Sequence, residues 1–82
     1  MRNFVKKEDL LTRITINPQV LVGKPTIRGL RISVEQIIKA LANNVPVKEL
    51  LEEYPELEPE DIQAALLYAA EIISEERVFQ LK

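Results

Sequence analysis

From Ser33 onward the apolar residues of this chain recur at helical spacing. Val34, Ile37, Ile38, Leu41, Ala42 and Val45 fall on one face, and Glu35, Gln36, Lys39 and Asn43 take the other. Ser33 followed three residues later by Gln36 is a capping-box signature that marks the start of this helix, while Asn43-Asn44 and Pro46 mark its end. A second, shorter helix is predicted from about Pro46 to Tyr54. It turns Val47, Leu50, Leu51 and Tyr54 inward and Lys48, Glu49, Glu52 and Glu53 outward, and Pro55 closes it. Glu56-Leu57-Glu58 then connects to a third helix over about 59–76, with Pro59 near its first position and Glu60 and Asp61 beside the positive end of its dipole.

The third helix is apolar over more of its circumference than a surface helix needs. Ile62, Ala65, Leu66, Ala69, Ile72 and Ile73 are predicted to form the core face, which leaves Leu67 pointing away and Ala64 and Tyr68 on the flank. Ala64, Leu67 and Tyr68 are therefore a candidate contact with another subunit or a partner protein. The alternative is that the N-terminal strand of the same chain covers that flank.

Before Ser33 the periodicity changes. Residues 1–10 are polar and mixed in charge, and read as a flexible N-terminal segment unless a partner covers them. Leu11 to Ile16 is rich in β-branched residues and predicts a short strand, with Ile14 and Ile16 on one face, that stops at Asn17-Pro18. The stretch 17–33 holds both glycines, Gly23 and Gly29, together with Pro18 and Pro25, a spacing of turns rather than of a periodic element. Val20 to Val22 is expected to extend briefly, and Pro25 to Ile32 to form a tight hairpin hinged at Arg28-Gly29. Gly23, Pro25 and Gly29 are the structural residues of this motif. The predicted fold is mostly α with a small β part, a three-helix, helix-turn-helix-like bundle preceded by a short strand and β-hairpin. It occupies a single domain over residues 11–76, and residues 77–82 form a C-terminal tail.

Composition narrows the chemistry. At 82 residues the chain buries a modest core, which makes a dimer or a partner expected from the outset. Cysteine and histidine are both absent, which removes disulfides, thiolate nucleophiles, Cys/His zinc sites and imidazole bases together. The carboxylates of Glu49, Glu52, Glu53, Glu56, Glu58, Glu60 and Asp61 are expected on exposed helix faces and a connection, with no apolar pocket around them to hold Mg2+. No catalytic residue, metal or cofactor is expected. The charged start of the chain does not read as a secretory signal, and no apolar run reaches the length of a membrane span, so a cytoplasmic protein is expected.

Charge is unevenly distributed. Residues 1–48 carry nine Lys/Arg against three acids, whereas residues 49–82 carry two against ten. The basic half thus offers a surface for an anion and the acidic half one for a cation. A third helix that opens with Glu60 and Asp61, in a region with no Lys or Arg from Glu49 to Glu76, is poorly suited to a DNA major groove. The nucleic-acid-binding candidates are instead Lys24, Arg28 and Arg31 of the hairpin region and Arg13, Lys6 and Lys7 nearer the N-terminus. Arg28 and Arg31 have a second use open to them, ion pairing with the carboxylates of the helices.

The run Gly23-Lys24-Pro25-Thr26-Ile27-Arg28-Gly29, with Ile16-Asn17-Pro18 before it, Arg31-Ile32 after it and Leu50-Leu51-Glu52-Glu53-Tyr54-Pro55 and Glu60-Asp61-Ile62 further on, resembles the prokaryotic domain-of-unknown-function family four-three-three. The resemblance covers roughly residues 13–73. It departs from the family pattern at Val22, where a glycine is common, at Leu30 (threonine), Ser33 (proline), Asn44 (glycine) and Glu58 (a Thr/Ser cap). Members look like antitoxins of the VapB type with a helix-turn-helix-like fold, often encoded beside a PIN-like toxin, a metal-dependent ribonuclease. The resemblance thus implies a homodimeric antitoxin whose acidic half, or whose tail residues Val78, Phe79 and Leu81, occludes a PIN-like nuclease, with autorepression through operator DNA as a secondary role. The competing expectations are a DNA-binding regulator without a toxin and a structural dimerisation module.

Overall fold

A computed structural model describes residues 7–74. Ser33 starts α2 (Val34–Ala42) with a complete capping box. Its Oγ accepts the Gln36 N–H at 3.0 Å, and the Gln36 side-chain oxygen accepts the Ser33 N–H at 2.9 Å. At the other end Asn44 turns left-handed with φ +66°, the Asn44 N–H reaches Leu41 O and the Val45 N–H reaches Ala40 O, both at 3.0 Å. That pair of bonds is a Schellman motif with asparagine where glycine is usual. Helix α3 (Val47–Glu53) follows with Pro46 immediately before it, and α4 (Pro59–Ile73) opens on proline.

The β part is smaller than its sequence predicts. Strand β1 (Ile14–Thr15) pairs antiparallel with β2 (Thr26–Ile27) in the register Ile14 to Ile27 and Thr15 to Thr26. On its other side Thr26 bridges to Ser33, and the Ile27 N–H bonds Ile32 O at 3.0 Å. Between these bonds lies the expected hinge. Leu30 N–H closes on Ile27 O at 2.7 Å across Arg28 and Gly29, whose φ values of +46° and +75° define a type I′ turn. The Thr15 hydroxyl accepts the Gly29 N–H at 2.9 Å, so β1 and the hairpin are tied side chain to backbone as well.

Leu11 does not begin a strand. It ends α1 (Lys7–Leu11), which packs against α4, and a turn at Thr12 and Arg13 leads into β1. Part of the segment expected to be loose is therefore a helical turn seated on the last helix. Ile14 packs against the core, whereas Ile16 lies beyond the strand and is exposed. Val20 to Val22 does not extend either: Leu21, Val22 and Gly23 take φ values of +49°, +56° and +81°, a left-handed turn closed by bonds from Gly23 N–H to Val20 O and from Lys24 N–H to Leu21 O.

Ile27, Ile32, Val34, Ile37, Leu50, Leu57, Ile62 and Ala65 form the buried core, with Ile14, Leu41, Leu51, Tyr54 and Tyr68 packed at its edge. The sequence of layers explains one displacement in α4. With α1, α2, α3 and β1 all packed against α4, the buried face of that helix is centred on Asp61, Ile62, Ala64 and Ala65 rather than on Leu66 and Ile73. Leu66, Ile72 and Ile73, predicted to be core, are 48%, 48% and 50% exposed. Ala64 is fully buried and offers nothing to a partner, while Leu67 and Tyr68 are half-buried. The fold is thus mostly helical with a small antiparallel sheet, as expected, but its last helix is rotated about its axis relative to the expected face.

Candidate functional site

The hairpin turn aims Arg28 at the start of α4. Its Nε lies 3.1 Å from Asp61 Oδ1 and 3.3 Å from Oδ2, its Nη2 donates to Oδ2 at 2.8 Å, and the same Nη2 donates to Glu56 O at 2.6 Å. Arg13, one residue before β1, reaches the same carboxylate. Its Nη1 donates to Asp61 Oδ1 at 3.0 Å and to Glu58 Oε1 at 2.7 Å. The Glu58 N–H completes the shell with a bond to Asp61 Oδ2 at 2.8 Å, the backbone-directed half of a capping interaction by the third residue of the helix.

Asp61 has a fully buried side chain, and burial alone would push its carboxyl pKa up. The Arg28 guanidinium, the Glu58 N–H and Arg13 outweigh that, so its pKa lies below its ordinary value. Arg13 is pushed up by Glu58 first and Asp61 second, and Arg28 is pushed up by Asp61. Two guanidinium groups and two carboxylates balance in charge, and both Asp61 oxygens are occupied by donors. Such a carboxylate is a structural junction rather than a proton shuttle or ligand. It joins the approach to β1, the hairpin turn, the α3–α4 connection and the first turn of α4.

Asp61 is therefore a correction to the exposed acidic cluster expected from sequence. Of the two arginines considered for ion pairing with the helices, Arg28 does so and is joined by Arg13, while Arg31 is exposed and makes no ion pair among the described residues. The signal was present in Glu58-Pro59-Glu60-Asp61, where an aspartate at the third helical position behind a proline start is placed to cap its own helix. The sequence named Arg28 among the arginines open to such pairing, but not Arg13, and not Asp61 as the acid that receives them.

A second charged cluster lies on the outside of α2. Lys24 Nζ and Lys39 Nζ approach the two oxygens of Glu35 at 2.8 and 2.9 Å. Lys24 first and Lys39 second hold the Glu35 pKa down to about 2. The three side chains separate two shallow depressions of about 430 and 360 Å3, one lined by Leu21, Val22 and Gln36 and the other by Pro25, Val34 and Ile38. Among the candidate nucleic-acid contacts, then, Arg13, Arg28 and Lys24 are engaged with acids of their own chain. Lys6 and the Lys7 side chain lie outside the described residues, as do Val78, Phe79 and Leu81. Gly23 and Gly29 occupy left-handed turns, and Pro25 O accepts the Val34 N–H at 3.0 Å.

Among the described residues no three acidic side chains converge as a cation site, and no helix is long and apolar enough to cross a membrane. What the geometry defines is a small, mostly helical domain closed by a buried aspartate shared between two arginines. The chain belongs to the DUF433 family, described as proteins of unknown function, whose model matches residues 14–69. It is 36% identical over 56 residues to the uncharacterized protein y4eO of Sinorhizobium fredii (strain NBRC 101917 / NGR234), a match covering 68% of this chain and 25% of that protein. It also resembles the crystal structure of a DUF433 member from Anabaena variabilis ATCC 29413, with a TM-score of 0.71 and 38% identity over 78% of this chain and 63% of that one. The chain thus spans a quarter of the length of the first relative and under two thirds of the second.

Proposed function

We propose that this domain is the antitoxin of a toxin–antitoxin pair, a cytoplasmic protein that carries no reaction of its own and neutralises a PIN-like ribonuclease by covering it. The observation that carries this reading is the one-sided pairing of charges. Arg13, Arg28, Lys24 and Lys39 are turned onto carboxylates of the same chain, whereas Glu49, Glu52, Glu53 and Glu56 are exposed and make no ion pair among the described residues. The outward field is accordingly acidic on the side of α3 and the α3–α4 connection, which suits a basic protein surface such as one that holds RNA. A free-standing DNA-binding role is less well supplied. Arg31 and Lys48 are the exposed cations of the described region that make no ion pair with a described residue.

The test is co-expression with a PIN-like nuclease encoded beside the gene. We expect co-purification in a fixed ratio, loss of ribonuclease activity in the complex, and at least about tenfold weaker binding when Glu49, Glu52 and Glu53 are changed to Lys, with the largest effect at low salt. A nuclease that stays active beside a molar excess of this chain sinks the proposal. Tight duplex binding with a steep salt slope, reduced by Arg31→Ala and Lys48→Ala, replaces it with a regulator.

A further inference from the structure

The two depressions on the outside of α2 share one charged ridge. Lys24, Glu35 and Lys39 line both, joined by Leu21 and Val22 in the larger, of about 430 Å3, and by Pro25, Val34 and Ile38 in the smaller, of about 360 Å3. Both are shallow and open, whereas a small-molecule site buries most of its ligand. Two apolar depressions side by side suit instead neighbouring side chains of one polypeptide segment laid across the ridge.

The ridge sets the sign of that segment. Two ammonium groups flank one carboxylate, a local balance of 2 − 1 = +1. The side chains of Lys24 and Lys39 are 57% and 72% exposed, and each pairs with Glu35 alone among the described residues. An ammonium has three N–H donors, so both lysines keep donors for a second acceptor. Val22 adds an apolar anchor at the edge of the larger depression. It is 94% exposed and held at φ +56°, where a β-branched residue is an outlier, and it gains burial only from a cover laid over that depression. We infer that this face of α2 is a docking surface for an acidic segment of another protein, with apolar side chains in the two depressions and carboxylates on Lys24 and Lys39 across the ridge. A phosphate backbone would supply charge for the lysines but no apolar groups for Leu21, Val22, Pro25 and Ile38. The acidic residues of α3 line neither depression, and the inference does not rest on the antitoxin reading.

The test pans a display library of random linear peptides on the full chain and measures the enriched sequences as synthetic peptides. They are expected to carry two or more Asp or Glu beside aliphatic or aromatic residues, and to bind with a dissociation constant on the order of 100 µM, as suits a shallow surface. Bound peptide is expected to shift the backbone amide NMR signals of residues 21–25 and 33–39. Lys24→Gln combined with Lys39→Gln should weaken binding at least about tenfold, whereas Lys48→Gln, at an exposed cation that lines neither depression, should change it less than about twofold. Val22→Gly leaves every charge in place and should weaken binding at least about threefold while raising the melting temperature, which separates recognition from stability. Helical circular dichroism should be unchanged in all these variants. Failure to enrich any peptide overturns the inference, as does enrichment of sequences without acidic residues or an affinity indifferent to the double lysine substitution. A random-sequence DNA duplex that shifts the same amides at a lower concentration than any peptide also overturns it and assigns the face to nucleic acid.

Discussion

Val22 illustrates how much conformational cost one side chain can carry without touching anything. It is 94% exposed, β-branched and left-handed at φ +56°, in the middle of three successive residues with positive φ. A left-handed conformation costs an L-residue about 1–2 kcal/mol, so Val22→Gly, which removes the Cβ and loses almost no burial, is expected to stabilise the fold by about 1 kcal/mol. For a domain of this size that raises the melting temperature by about 4–8 °C in a calorimetric scan. Asp61 is the opposite case. Asp61→Asn keeps the shape but leaves the Arg28 guanidinium without its anion and Arg13 with Glu58 alone, and a loss of about 3 kcal/mol is expected in urea unfolding, a large fraction of the stability of a marginal domain. The pH dependence follows from the depressed pKa values. Asp61 and Glu35 bind fewer protons folded than unfolded, so their stabilisation is complete above the ordinary carboxylate values of 3.8 and 4.5 and is lost as pH falls through the lower folded ones. Stability should be flat from neutral pH to about 5 and fall steeply below about 4. Added salt should remove the contribution of the exposed Glu35 trio and leave that of Asp61 nearly intact.

At the scale of elements, α2 is defined by its ends as much as by its apolar face. Ser33→Ala removes the acceptor for the Gln36 N–H and is expected to cost about 1 kcal/mol, while Asn44→Gly should return a few tenths at the left-handed C-terminal position. These ends were legible because capping is local: Ser33, Gln36, Asn44, Pro46 and Pro59 each act within about a turn of where they stand. The type I′ hinge at Arg28-Gly29 was legible for the same reason. The buried face of α4 was not, since four elements pack on that helix, one of them α1, a helix of five residues too short to show a period of its own, and an excess of apolar residues left several rotations equally plausible. The Asp61 junction was half legible. Its capping bond is a local event, and Arg28 was one of two arginines open to pairing with the helices, but Arg13 arrives from 48 residues away and no spacing marks it or the acid it meets.

The whole molecule reads as a division of labour between its halves. Among the described residues the basic half spends most of its charges on carboxylates of the chain, and Glu49, Glu52, Glu53 and Glu56 of the acidic half face solvent without an ion pair. Binding to any basic protein should therefore be strongly salt-dependent in its association rate. The same arrangement bears on synthesis. A polypeptide leaves the ribosome from its N-terminus, so Arg13 and then Arg28 emerge long before the buried carboxylate of Asp61 that they share. Until residue 61 has cleared the tunnel the turn lacks the carboxylate that Arg28 and Arg13 share, and a chain interrupted short of that point leaves Arg28 without its ion-pair partner. A chain truncated before Asp61 is therefore expected to be cleaved faster than the full chain in limited proteolysis.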